Sequence, residues 1–105
     1  MEFPADVDVS IPALDEHFSA ATRDISETGL FIITNRAVEV NAILEIILEL
    51  ADPTSWSIVA YQLRGRVVRT DARGLGVDLI MPPPEFVEQL KEMAETDGSA
   101  DPDAN

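Results

Sequence analysis

Apolar and polar positions alternate near the start of the chain. Val7, Val9 and Ile11 fall on one side, and Asp6, Asp8 and Ser10 on the other. A period of two predicts a half-buried β-strand over Asp6–Ile11. Pro12-Ala13-Leu14-Asp15-Glu16 breaks the pattern and predicts a hairpin connection, with a returning strand from Phe18 to Arg23. Leu30 to Thr34 is a continuous apolar run, the pattern of a strand buried on both faces or bent sharply in a barrel. Ala42–Leu50 fits two periods. Read as a strand, Leu44, Ile46, Leu48 and Leu50 share a face; read as a helix, Ile43, Ile46, Ile47 and Leu50 make a stripe. Leu and Glu favour the helix, but Asn35-Arg36 and Asp52-Pro53 bound a short element with β neighbours, which selects the strand. Ile58 to Thr70 is rich in Val, Ile, Tyr and Leu, with Gly65 as a bulge or close-approach site. Asp71-Ala72-Arg73-Gly74 predicts a turn, from which Leu75–Ile80 returns as the second arm of a hairpin.

Met81-Pro82-Pro83-Pro84 stops the sheet, since proline cannot donate to a ladder. Pro84 suits the first turn of a helix. Phe86, Val87, Leu90, Met93 and Ala94 then recur at helical spacing, which predicts one amphipathic helix over Pro84–Glu95. Asp97 to Asn105 is acidic and built of small residues, and reads as a disordered tail. The expected organisation is one domain over residues 1–96 and a tail over 97–105. About six short antiparallel strands solve their edge problem by closing into a barrel, and the helix covers an end or side of it.

Charge narrows the function classes. Twenty acidic residues against seven basic ones give a net charge of −13. A chain so acidic repels phosphate backbones, which argues against a nucleic-acid partner. The charge is uneven. Six of the seven basic residues lie between Arg23 and Arg73, while the stretch from Glu85 onward carries seven acids against Lys91 alone. One face can therefore be locally basic. No apolar run approaches the length of a membrane span. The N-terminal residues lack the pattern of a signal peptide. With no cysteine there is no disulfide, thiolate metal site or Cys nucleophile. The expected location is the cytoplasm. One histidine, no glycine-rich phosphate loop and no nucleophile–base pair leave no catalytic candidate. His17 reads as a surface residue at a hairpin end, and Asp15-Glu16 has no partner at metal-ligand spacing.

The candidate chemistry lies in Asp24-Ile25-Ser26-Glu27-Thr28-Gly29, which opens into Leu30-Phe31-Ile32-Ile33. Asp and Ser side chains bond nearby backbone groups and pin turns, and Gly29 offers a position where positive φ costs nothing. The spacing D-x-S-x-x-G entering an apolar strand resembles the second ligand-binding motif of PilZ domains. Gly65-Arg66-Val67-Val68-Arg69, followed by Gly74-Leu75-Gly76-Val77, is similar to a later pattern of the same family, and the resemblance extends over roughly residues 3 to 95. It implies an all-β fold: a six-stranded antiparallel PilZ-like β-barrel with one C-terminal α-helix. It also implies cyclic di-GMP as the ligand class, with no other cofactor and no metal.

In ligand-binding members an R-x-x-x-R motif before the first strand supplies the phosphate contacts, for which a forked, planar guanidinium is suited. Here those positions fall on Met1 and Ala5, with Phe3-Pro4 between them. Losing one such contact costs about 1.5–3 kcal/mol. The resemblance therefore implies a signalling or adaptor protein that works through protein contacts, in cyclic di-GMP-linked processes such as motility or type IV pilus function. The alternative is a cyclic di-GMP receptor using Asp24, Ser26 and Gly29 with a surrogate arginine from Arg23, Arg66 or Arg69. Each feature also has a plainer reading. Asp24, Ser26 and Gly29 can serve only to build a turn, and Arg23, Arg64, Arg66, Arg69 and Arg73 can be solvated strand charges. Trp56, in the polar stretch after Pro53, is the candidate anchor for a protein partner, or else a lid on the barrel.

Overall fold

The computed structural model of the chain describes residues 4–51, 55 and 57–99. Six strands run β1 (Asp6–Ile11), β2 (Glu16–Ile25), β3 (Gly29–Ile33), β4 (Ile43–Ala51), β5 (Ile58–Thr70) and β6 (Gly74–Leu79), and one helix, α1 (Pro84–Ser99), follows. Every strand pairing is antiparallel, and the order β1-β2-β3-β6-β5-β4 closes through β1–β4. The expected barrel with one C-terminal helix is the observed fold.

Alternation builds the interior. Val7, Val9 and Ile11 from β1, Leu44, Ile46, Leu48 and Leu50 from β4, Leu63 and Val67 from β5, and Leu75 and Val77 from β6 are all buried in one core. Each such side chain contributes about 1.5–3 kcal/mol of hydrophobic stabilisation. The ambiguous segment Ala42–Leu50 is a strand because its four-residue apolar face fits the barrel wall, and β5 pairs with it along its whole length. α1 closes one open end. Phe86 is fully buried against the core and meets Tyr61 edge-on, at 5.5 Å between ring centroids. Gln89 is buried beside it, accepts a hydrogen bond from the Tyr61 hydroxyl, and reaches the Ala51 carbonyl through Nε2.

Element boundaries differ in places from the expected ones. β2 starts at Glu16 because the β1–β2 connection is compressed into a single 3-10 turn, Pro12–Leu14, closed by Asp15 in the left-handed region (φ 53°). α1 continues past Glu95 to Ser99, so Asp97–Ser99 carry helical backbone. The rest of the acidic segment lies outside the described residues.

Two bulges shape the outer wall. The β2–β3 ladder pairs Thr22 with Ile32 and then Asp24 with Phe31, leaving Arg23 as the extra residue. The β5–β6 ladder pairs Val67 with Val77 and then Arg69 with Gly76, leaving Val68 extra. A bulge lets two successive residues face the same side. Arg23 and Asp24 thus both face outward on β2, as do Val68 and Arg69 on β5. Gly65 was a bulge candidate, but the irregularity falls three residues later. Its other expected role holds: a side chain there would meet Val77 Cγ1 at 2.3 Å.

Candidate functional site

The Asp24–Gly29 turn is organised by one hydroxyl. Ser26 Oγ accepts from the amides of Gly29 (3.1 Å) and Thr28 (3.3 Å), while the Ser26 amide donates to the Gly29 carbonyl at 2.8 Å. This is the turn chemistry that the motif predicts. The reason for Gly29 is different from the expected one. No described glycine has positive φ. Gly29 already lies in β3, paired with Asp78, and a Cβ there would stand 2.5 Å from the Val77 carbonyl oxygen. Close backbone approach between β3 and β6, not left-handed geometry, requires the missing side chain.

Phe31 explains the continuous apolar run of β3. Leu30 and Ile32 point into the core, and Phe31 points outward, yet it is only 4% exposed. Arginines from two other strands cover it. The Arg23 Cζ lies 4.2 Å from the ring centroid and the Arg69 Cζ 5.5 Å. Both bulges turn these side chains toward the ring. Gly76 sits between Phe31 and Arg69 in register, and Arg69 crosses the strand over it, with its Cβ 3.3 Å from where a Gly76 side chain would begin. Each cation–π contact contributes on the order of 0.5–1 kcal/mol at such exposure.

Around this stack lies an open groove of about 420 Å³, lined by Arg23, Asp24, Ser26, Phe31, Arg69 and Asp78 among others. Its arginines are already engaged. Arg23 Nε donates to Asp24 Oδ2 at 2.6 Å, and Arg69 Nε lies 4.0 Å from Asp71 Oδ2. Asp71 Oδ1 accepts from the Arg73 amide (2.8 Å) and the Gly74 amide (3.2 Å). The Arg73 amide hydrogen bond is the largest influence on the Asp71 carboxyl; desolvation opposes it, but with the Gly74 amide and the charges of Arg73 and Arg69 added, the carboxyl is held below the usual aspartate value.

The structure thus brings together Arg23, Asp24, Ser26, Gly29 and Arg69. Arg66 stands apart. It is an exposed outer-face residue of β5 in register with Ile43 and Asp78, outside the groove lining. Arg64 pairs loosely with Glu45, at 3.8 Å, on the same outer face. Trp56 and Met1 lie outside the described residues. Ala5 is nine-tenths buried and tied to β2: its amide donates to Thr22 Oγ1 at 3.0 Å, and its carbonyl accepts from the Thr22 amide at 2.9 Å. Sequence reasoning missed Phe31, Gly76 and Asp71. Phe31 had a signal, an apolar residue at an outward position in register with Asp24.

The PilZ-domain family model matches residues 2–95, the stretch that forms this barrel and its serine-pinned turn into β3. The chain belongs to the PilZ domain family. PilZ domains work in cyclic di-GMP-linked signalling as ligand-binding or adaptor modules rather than as catalysts. Among curated proteins, none matches the chain. Among the described residues of this PilZ domain, no helix is long and apolar enough to cross a membrane.

Proposed function

We propose that this PilZ domain is a cytoplasmic adaptor that acts through protein contacts in cyclic di-GMP-linked processes such as motility or pilus function, with weak or no nucleotide binding of its own. One observation carries the reading: the two guanidiniums lining the groove are each paired with a carboxylate of the same chain. A phosphate would have to displace Asp24 from Arg23 at 2.6 Å and would meet Asp78 in the same groove. Ala5, where the family resemblance calls for a phosphate-binding arginine, is folded into the barrel instead. The net charge of −13 adds repulsion at long range. The reading is of a binding module and not of an enzyme. Trp56 remains the sequence-based candidate for a partner contact.

A receptor reading has one observation in its favour. Arg23, Asp24, Ser26 and Arg69 do line one groove around an aromatic ring. Calorimetric titration with cyclic di-GMP separates the two. The adaptor reading expects no saturable heat at ligand concentrations near ~10 μM, a range in which a binding free energy of about −7 kcal/mol would register. A saturable isotherm that disappears in Arg69→Ala replaces it with the receptor reading.

A further inference from the structure

β5 is longer than β6 beside it, which leaves part of β5 with one neighbour. β4 pairs with β5 from Ile58 to Arg66, whereas the β6 ladder begins only at Gly65. The Ile80 amide, donating to the Arg64 carbonyl at 2.8 Å, is the last backbone bond on that side among the described residues. Hydrogen-bonding direction alternates from residue to residue along a strand. Val67 bonds Asn41 and Ala42 on the β4 side, and no register shift interrupts the β4–β5 ladder from Ile58 to Arg66. The N–H and C=O groups of Gln62, Ala60 and Ile58 therefore point away from β4, along an edge that no described strand covers. All three residues are exposed, Ile58 at 65%. A cleft of about 320 Å³ opens beside this edge, between Gln62 and Arg64 on one side and Ile80, Met81 and Pro83 on the other. Proteins blunt such edges with lysine, proline, a bulge or a covering element. The sequence from Thr54 to Leu63 holds no charged residue and no proline, and the β5 bulge lies beyond the open part, at Val68. The overhang of β2 is different. Glu16–Ala20 extends past β3 but carries Glu16 and His17, and Arg36 reaches it, pairing with Glu16 and stacking on Phe18.

We infer that the open edge of β5 is a self-association surface, along which two copies of this chain pair antiparallel over Ile58–Gln62 about a two-fold axis at Ala60. The axis makes the strand its own complement. Ala60 exchanges both backbone bonds with Ala60 of the second copy, and Ile58 does so with Gln62 of the second copy. Val59 then comes opposite Tyr61 of the second copy, a β-branched–aromatic pair of the kind that stabilises sheets. Charge selects the second copy as well. Two chains of net charge −13 repel each other, and a strip with no charged residue lets them meet without juxtaposing like charges. The remaining repulsion is long-range and is screened by salt. Association should therefore strengthen as salt rises, the reverse of a contact held by ion pairs. A five-residue pairing is smaller than a permanent interface, so the dimer is weak and concentration-dependent. Arg69 lies at the other end of β5, so the pair presents the groove around Phe31 twice.

The chain has no cysteine, so single cysteines placed on the edge report the register. A hydrogen-bonded antiparallel pair sets its Cα atoms about 5.5 Å apart, within reach of a disulfide. Ala60→Cys should cross-link to itself under mild oxidation roughly tenfold faster than Gln62→Cys, which shares the edge but lies opposite position 58 of the second copy. Sedimentation velocity of the unmodified full chain, carried into the submillimolar range, should show a coefficient that rises with concentration, more steeply at high salt. Ile58→Lys combined with Gln62→Lys changes two exposed positions and sets lysine opposite lysine; it should abolish the rise. Ala60→Pro removes an N–H that β4 does not use and should do the same. A melting curve checks each variant's fold, and the lysine pair decides the matter if the proline variant does not fold. A chain that stays monomeric at every concentration and salt overturns the inference and leaves the edge to a strand of a different protein. Equal cross-linking at positions 60 and 62 overturns it too, as does a dimer that survives the edge lysines.

Discussion

Gly29→Ala isolates the physical reason for the glycine of the D-x-S-x-x-G turn. The new methyl would stand 2.5 Å from the Val77 carbonyl oxygen and 3.5 Å from its carbon. Ordinary contact begins near 3.4 Å, so β3 and β6 must part by several tenths of an ångström at least. Both sides of the clash are backbone, so no side-chain rotation relieves it. The adjoining hydrogen bond, from the Leu79 amide to the Thr28 carbonyl at 2.9 Å, is strained by the same movement. Overpacking of this kind costs about 1–3 kcal/mol. The φ of Gly29 is not positive, so alanine brings no left-handed strain. It also returns about 0.4–1 kcal/mol by narrowing the unfolded ensemble. The expected net loss is about 1–2 kcal/mol, which lowers Tm by roughly 5–15 °C in a domain of this size. Thermal and urea unfolding followed by far-UV circular dichroism measure it, with an unchanged urea slope showing that the unfolded state is the same. Gly29→Val should cost more. A Tm that stays constant or rises in Gly29→Ala would refute the close-approach argument, because entropy alone would then decide the outcome.

Phe31→Leu keeps an apolar side chain but removes the face on which two arginines rest; it should cost about 1–2 kcal/mol and move the Nε resonances of both Arg23 and Arg69, and movement of only one would show that they do not share the ring. Phe86→Ala empties the seat of α1 in the barrel end and should cost about 3–5 kcal/mol, seen as a lower urea midpoint together with faster amide exchange along the helix. Asp71, whose folded pKa is lowered, contributes stability that is fully present above its unfolded pKa near ~3.9 and is lost as pH falls through the folded value. A carboxyl carbon titration by NMR should place its midpoint below the ordinary aspartate value, and Asp71→Asn should flatten the acid limb of the stability curve.

The wall of the barrel was legible because inward residues repeat at every second position along most of its strands, the two bulges in β2 and β5 being the exceptions. Even the ambiguous Ala42–Leu50 yielded to its bounding residues. The site was legible in its turn and illegible in its geometry. Ser26 bonds the backbone as its type and spacing require. Gly29 did not reveal its reason, since a glycine before a strand looks the same whether it serves positive φ or a carbonyl pressed against its Cα. The surrogate arginine could not be chosen by pattern either. Strict alternation along Gly65-Arg66-Val67-Val68-Arg69 would place Arg69 with the inward residues, and only the bulge at Val68 turns it out onto Phe31. Phe31 itself stood in an apolar run, but its cover comes from residues eight positions before and thirty-eight after it, which no local window joins.

The two bulges also bear on how readily this groove can be gained or lost. Arg23 and Val68 are each one residue more than the hydrogen-bond ladder needs, because Thr22 and Asp24, and likewise Val67 and Arg69, already oppose adjacent partners. Excising the codon for Arg23 removes a cation from the groove and leaves every flanking pair in register. Inserting one there restores it. The composition of the groove is thus set by chain length at two points as well as by residue identity, and a single-codon deletion can change the charge of the groove without disturbing the core.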